Sequence, residues 1–290
     1  MTKLKTNITW MINDYCTAGC SYCPTNLSGG PEPLHIEKYL KFTQYAIDHY
    51  RSLDRDINWT FNGGEPLEMF DFPMLLKLCK ENSGMIDLTT NGGKMWLDWW
   101  AIEPHVDSLH LSYHYWQKPH LINFIIETFQ KKNKQIEVMV PIRPDFFEDD
   151  IKRALEIESK YGIVVSKTAL YNLANSGAGL FPYTSEQLRI MRGEELVQEQ
   201  EHFAETTHQE RYEERIEQNP VFTGMLCNVG IERLNISHAG WATGSDCNDK
   251  PLGRIWDDGF TLPLGPHKCG MRACVSGGDQ QITKFPLPAE

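Results

Sequence analysis

Cys16-Thr17-Ala18-Gly19-Cys20-Ser21-Tyr22-Cys23 lies just beyond a short apolar run at 8–12. Three thiolates spaced C-x3-C-x2-C on one tight loop can each bind one iron of a cubane iron–sulfur cluster. The fourth iron then has no protein ligand, and an open metal position is where chemistry can occur. Zinc sites favour a different arrangement, in which one C-x2–4-C pair is closed into a tetrahedron by a second, distant pair.

A second turn strengthens this reading. Gly63-Gly64-Glu65-Pro66 stands forty residues past Cys23 and follows a strand-like run at 57–62. With the triplet, including the aromatic Tyr22 just before its last cysteine, and this GGEP-type turn, the chain resembles the radical S-adenosylmethionine (SAM) superfamily. Motifs are judged by context, and each of these comes after an expected strand.

The resemblance implies that Cys16, Cys20 and Cys23 hold a [4Fe–4S] cluster whose open iron chelates the amino and carboxylate groups of SAM. One electron from the reduced cluster then breaks the S–C5′ bond. The products are methionine and a 5′-deoxyadenosyl radical, which removes a hydrogen atom from substrate. The cofactor carries that chemistry, while the protein aims it and excludes water. On the same resemblance, Glu65 and the backbone of Gly63 and Gly64 hold the methionyl amino group, and Tyr22 flanks the adenine. Ser112 reaches the ribose. Arg143 pairs with the SAM carboxylate, whose geometry a guanidinium matches at two points. Ser112 and Arg143 also read as ordinary polar strand ends. Asn91, in Thr89-Thr90-Asn91-Gly92-Gly93, is first a turn signal and only second a SAM contact.

Outward from the two motifs, β-rich runs alternate with amphipathic stretches over the first ~170 residues, the sign of a parallel sheet with crossover helices. Strands are expected near 8–12, 57–62, 85–90, 108–113, 136–142 and 163–169, and helices over 35–50, 72–82, 94–101, 121–132 and 148–161. Leu40, Ala46 and Ile47 space as one buried helical face. The class is α/β. Six βα units are too few for a closed eight-fold barrel and match the partial (β/α)6 TIM-like barrel that the resemblance implies, with a small cysteine-rich C-terminal extension. Residues 1–175 form the expected core and 176–219 a connector, in which Asn175-Ser176-Gly177-Ala178-Gly179-Leu180 is loop-like. The charged stretch 185–218 reads as one or two exposed helices with a solvated face. A second module is expected at 220–285, ahead of a terminal tail.

That module carries Cys227, Cys247, Cys269 and Cys274. Between the first two, the stretch 234–243 reads as a β-hairpin turning at His238-Ala239-Gly240, and Leu252-Gly253-Arg254-Ile255 follows the second. This resembles the SPASM and twitch extensions of radical SAM enzymes. A full SPASM region carries about seven cysteines for two clusters, and four suffice for one, so the shorter twitch-like form is expected, with a second [4Fe–4S] cluster on these four thiolates. Structural zinc is the rival, because four thiolates in a tetrahedron suit either metal. The eighth cysteine, Cys79, sits on an expected helix and reads as a buried, inert thiol.

At the end of the fourth expected strand, Tyr113, His114, Tyr115 and Trp116 form an aromatic cluster that could stack on a flat substrate or pack under a loop. His110 and Ser112 alternate onto one face. The pair Trp99-Trp100 is expected in the helix core.

Composition bounds the partners. The net charge of −11 across 290 residues argues against extended contact with a nucleic-acid backbone. No apolar run is long enough to span a bilayer, and no secretory apolar region follows the N-terminus. Cytoplasmic residence is expected, and eight cysteines there read as metal ligands rather than disulfides. The partners expected are a peptide or small-molecule substrate and a one-electron donor such as flavodoxin or ferredoxin. SPASM and twitch relatives act on ribosomal peptides, protein side chains and small molecules. A peptide or protein side chain is the favoured substrate, with a small molecule or nucleoside as runner-up. From another class, a non-catalytic iron–sulfur carrier or sensor would need neither an open iron nor an amine site.

Overall fold

The computed structural model describes residues 3–23, 27–33, 35–82, 84–93, 96–172, 179–193, 221–247, 251–274 and 276–287. Its elements alternate as the periodicity predicts. In chain order they are β1 (Leu4–Met11), α1 (Ile36–Ser52), β2 (Arg55–Asn62), α2 (Phe72–Asn82), β3 (Ile86–Thr90), α3 (Trp96–Ile102), β4 (Ser108–Ser112), α4 (Pro119–Lys131), β5 (Gln135–Ile142), α5 (Phe147–Tyr161) and β6 (Val165–Ala169). There follow β7 (Tyr171–Asn172), β8 (Gly179–Leu180), α6 (Ser185–Arg192), β9 (Leu226–Cys227), β10 (Arg233–Ile236), β11 (Trp241–Thr243), β12 (Pro251–Arg254), β13 (His267–Lys268), a helical turn at Gly277–Gln280, and β14 (Lys284–Phe285).

β1 to β6 pair in sequence order, all parallel, within a nine-stranded sheet ordered β12-β11-β10-β1-β2-β3-β4-β5-β6. Because side chains alternate across a strand, the sheet has two unlike faces. Ile8, Trp10, Trp59, Phe61, Leu88, Leu109, Leu111, Val138 and Val140 share one core with Phe42, Ile47, Leu75, Ile125 and Ala154 of the helices. The register places Thr9, Thr60, Asp87, Ser108 and Glu137 on the other face, none of them apolar. A closed barrel would fill that space with branched apolar side chains. Here β12 and β6 remain as edges among the described strands, and the face away from the helices is mostly polar, with Met11, Met139 and Pro141 among its apolar members.

β10 joins β1 in parallel, with Asn7 opposite Arg233 and Trp10 opposite Ile236. The hairpin expected at His238-Ala239-Gly240 is present as antiparallel β10 and β11. Gly240 has φ +80°, and a Cβ there would stand 2.2 Å from the Trp256 ring, so only glycine fits this turn. The C-terminal hairpin therefore continues the sheet that carries the triplet. β9 lies between β13 and β14 in a separate three-stranded sheet.

β1 begins at Leu4, earlier than the apolar run, because β2 engages its backbone from Leu4 onward whatever the side chains. Trp99 is 1% exposed, as a core residue should be, but Trp100 is 61% exposed and lies outside the core. Adjacent helical positions point about 100° apart, so one member of the pair is turned out. Cys79 is fully buried on α2, as expected. Of the charged stretch, α6 is capped by a Thr184–Gln187 capping box and closed by Gly193 at φ +68°. Residues 194–218, and 175–178 of the expected loop, lie outside the described residues.

Candidate functional site

The two motifs meet just beyond the carboxyl ends of β1 and β2. Gly64 N–H donates to the Asn13 carbonyl (2.8 Å) and Glu65 N–H to that of Tyr15 (2.8 Å), so the strand pairing continues past both strands. Asn13 Nδ2 donates back to the Glu65 carbonyl (3.0 Å). A Cβ on Gly63 would lie 2.4 Å from the Asn13 carbonyl oxygen, and one on Gly64 2.4 Å from that of Tyr15. The glycines are required because the backbone before Cys16 packs directly on the turn.

Glu65 points inward. Its Oε1 accepts from Leu67 N–H (2.9 Å) and Thr90 Oγ1 (2.6 Å), and its Oε2 from Asn91 N–H (2.7 Å). Burial pushes its carboxyl up to about 7, opposed by these three hydrogen bonds. Glu65 thus ties the turn to the end of β3. Asn91 closes an Asx turn by accepting from Gly93 N–H (2.7 Å), as its sequence signals, and its Nδ2 also donates to Cys16 Sγ (3.6 Å).

Cys16, Cys20 and Cys23 form no disulfide, and each is partly exposed. Burial pushes Cys16 up to about 11, the Ala18 N–H opposes this, and Glu65, Cys20 and Cys23 add to it as negative neighbours. Burial raises Cys23 too, with Ser28 opposing and Cys20 adding. The three thiols therefore lie in one electrostatic neighbourhood. Trp116 Nε1 donates to Cys20 Sγ (3.2 Å), and His114 Nδ1 lies 3.9 Å from the same sulfur. The Tyr22 hydroxyl and His114 Nδ1 share a hydrogen bond (2.7 Å). Burial lowers His114 to about 4, so its imidazole is neutral at pH 7. Tyr22 stacks on His114 (centroids 6.0 Å apart) and His114 on Trp116 (5.8 Å). Three rings from two loops thus wall the thiols on one side.

Among the described residues no three His, Cys, Asp or Glu side chains gather as ligands of one metal ion. A cubane's corner thiolates stand further apart than ligands of a single ion. Three soft thiols on one loop, with N–H donors aimed at two of them, form a donor set that fits such a cluster.

The other expected site residues are placed unequally. Ser112 ends β4 on the polar face, in register with Met139. Arg143 follows β5, but Asp150, fully buried, takes its two-point face through Nε and one terminal nitrogen (2.8 Å each). Its guanidinium stacks 4.0 Å from the Tyr115 centroid and 4.3 Å from that of Phe146. The sulfur donors Trp116 and Asn91 were hidden in the sequence, where Trp116 reads only as an aromatic and Asn91 as a turn.

The C-terminal cysteines come from separate segments. Burial pushes Cys227 up to about 11, with Cys269 and Cys247 among its negative neighbours, and burial likewise raises Cys274, to which Cys247 adds. Cys227 and Cys269 are buried in a small core with Val229 and Ile282. Ser245 Oγ lies 2.8 Å from Cys247 Sγ. The four thiols share one electrostatic neighbourhood, which fits a four-thiolate metal group.

No protein-family model and no curated protein matches the chain. Solved structures do. SuiB from Streptococcus suis is 13% identical and superposes with a TM-score of 0.53, covering 90% of this chain and 67% of that one. SuiB bound to S-adenosylmethionine is 14% identical, with a TM-score of 0.52 and the same coverage. These likenesses show the fold, an open, partial α/β barrel that the chain shares with SuiB. No helix among the described residues is long and apolar enough to cross a membrane.

Proposed function

We propose that this chain is a radical SAM enzyme that modifies an unactivated C–H bond, with Cys16, Cys20 and Cys23 holding a [4Fe–4S] cluster. The observation that carries this is the meeting of the three thiols with the Gly63-Gly64-Glu65 turn, under N–H donors aimed at the sulfurs. When bound, the cluster and SAM would supply one-electron cleavage to a 5′-deoxyadenosyl radical. The protein's residues prepare the setting. Asn91 and Trp116 donate to cysteine sulfur, and the Tyr22–His114–Trp116 wall offers a flat surface for adenine. Ser112 stands for the ribose. Arg143 serves as a positive charge near Tyr22, engaging the SAM carboxylate at one point because Asp150 occupies its fork. The turn of Gly63 and Gly64 holds the amino group, with Glu65 fixing the turn against Asn91.

Cys227, Cys247, Cys269 and Cys274 hold a second [4Fe–4S] cluster in this proposal, in a twitch-like module at 220–285, and the electron enters from a flavodoxin- or ferredoxin-type donor. A peptide or protein side chain is the proposed substrate, on the resemblance of that module to SPASM and twitch extensions. One observation favours a second reading, a small polar molecule or nucleoside. The face of the sheet away from the helices carries Asp87, Thr60, Ser108 and a His110–Glu137 pair at 3.0 Å. Such a lining suits a compact ligand with several hydroxyl or amino groups.

The test is direct. Protein reconstituted anaerobically with iron and sulfide is given SAM and dithionite, and 5′-deoxyadenosine is measured by chromatography. Formation of 5′-deoxyadenosine that is lost in the Cys16/Cys20/Cys23→Ala variant is expected. A fully loaded protein that leaves SAM intact would return the chain to the carrier or sensor class.

A further inference from the structure

Lys284 serves in none of the roles above. It stands directly across from Cys227 in the β9–β14 pair. Its ammonium donates to the carbonyls of Asp279 (2.7 Å) and Ile282 (2.8 Å) and lies 4.9 Å from the centroid of the Phe222 ring. These contacts hold still a side chain that is otherwise rich in rotamers. The Asp279 carbonyl that accepts from Lys284 lies 3.4 Å from Cys274 Sγ and also accepts from that thiol. One pinned cation therefore stands beside two of the four C-terminal cysteines, opposite Cys227 in the strand pair and joined to Cys274 through the shared Asp279 carbonyl.

We propose that Lys284 is a built-in counter-charge for an iron–sulfur cluster on Cys227, Cys247, Cys269 and Cys274, positioned to favour the cluster's reduced state; this rests on the second-cluster reading above. A cubane with four thiolates is anionic and becomes more so on reduction. A fixed cation beside two of its ligands, partly shielded from water, stabilises the more negative state. The step is the addition of one electron from the flavodoxin- or ferredoxin-type donor. Lys284 forms no bond to the metal. It is a positioning residue, and its effect belongs in the potential rather than in ligation.

The experiment is an EPR-monitored redox titration of the intact, doubly loaded protein. The signal that SAM leaves unchanged reports the second cluster. Lys284→Met, which keeps the stem and removes the charge, is expected to cut the reduced-to-oxidised ratio about tenfold at a fixed poise, about 59 mV for a one-electron couple. Lys284→Arg should restore the parent value, and the SAM-responsive signal should not move in either variant. An unchanged potential in a Lys284→Met protein carrying both clusters would overturn the proposal. Should that variant fail to load, Lys284→Gln takes its place. Loss of the second cluster from all three variants would assign the lysine to folding and also overturn it. Only one cluster's worth of iron in the parent protein would remove the second-cluster reading itself, a failure that iron counting tells apart from an unchanged potential.

Discussion

The two cysteine regions offer the same thiol donors and gather them in opposite ways. At the triplet, one eight-residue loop carries every thiol, all are partly exposed, and the donors seen at sulfur are neutral, the indole of Trp116 and the amide of Asn91. At the carboxyl end, four thiols come from four places between 227 and 274, three of them are buried, and a lysine stands beside two. Three ligands close together in sequence need little chain closure and leave a metal corner open. Four ligands far apart must be brought together by folding, which costs loop-closure entropy, here offset by the β13-β9-β14 sheet and its small core. An open centre suits chemistry on a bound molecule, and a closed one suits electron transfer or structure.

The largest test separates the regions outright. Replacing Cys16, Cys20 and Cys23 by alanine should abolish SAM cleavage and remove about half the iron, and Cys247→Ala should remove the other half. Joint loss of all iron in either variant, read by iron and sulfide counting, would break the comparison.

Next in size is Glu65, which joins the Gly63-Gly64 turn to the end of β3. Glu65→Ala leaves three buried donors, on Leu67, Thr90 and Asn91, without their acceptor. At about 1 kcal/mol each, urea unfolding should show a loss of about 3 kcal/mol. An unchanged midpoint would mean that the turn is held by its backbone alone.

The same residue sets a pH dependence. Burial raises its folded-state value to about 7 from 4.5, so between those limits the folded state binds more protons than the unfolded. That contribution is full below 4.5 and is lost as pH rises through 7, by at most about 3 kcal/mol. Unfolding curves from pH 4.5 to 7.5 should show this slope in the parent apoprotein and lack it in Glu65→Gln. Parallel curves would show that Glu65 is ionised throughout.

Smallest is the neutral donor. Trp116→Phe keeps the ring and removes the N–H to Cys20, which at about 1 kcal/mol net should make the first cluster's midpoint more negative and leave the second unmoved. A shift in both clusters would show the centres to be coupled.

Much of this molecule is legible in its sequence, for local reasons. Phe72–Asn82 is read at its full length because Phe72, Leu75, Leu76 and Cys79 repeat at helical spacing. The triplet and the GGEP turn are recognisable because each packs its chemistry into a few consecutive residues. Less legible is whatever depends on a partner far along the chain. Arg143 reads as a free fork for a carboxylate, while the fold gives that fork to Asp150. Trp100 reads as core and faces out.

The sequence by itself determined the thiol donors, their spacing, and the βα alternation that puts both motifs at strand ends, since thiol chemistry and side-chain period are local properties. Tertiary structure alone decided that the C-terminal hairpin extends the sheet through β10 and β1. It also decided that Trp116 reaches Cys20 across 96 positions and that Lys284 faces Cys227. Those contacts arise where backbone pairing and packing bring distant segments together, and no local pattern of residues encodes such a meeting.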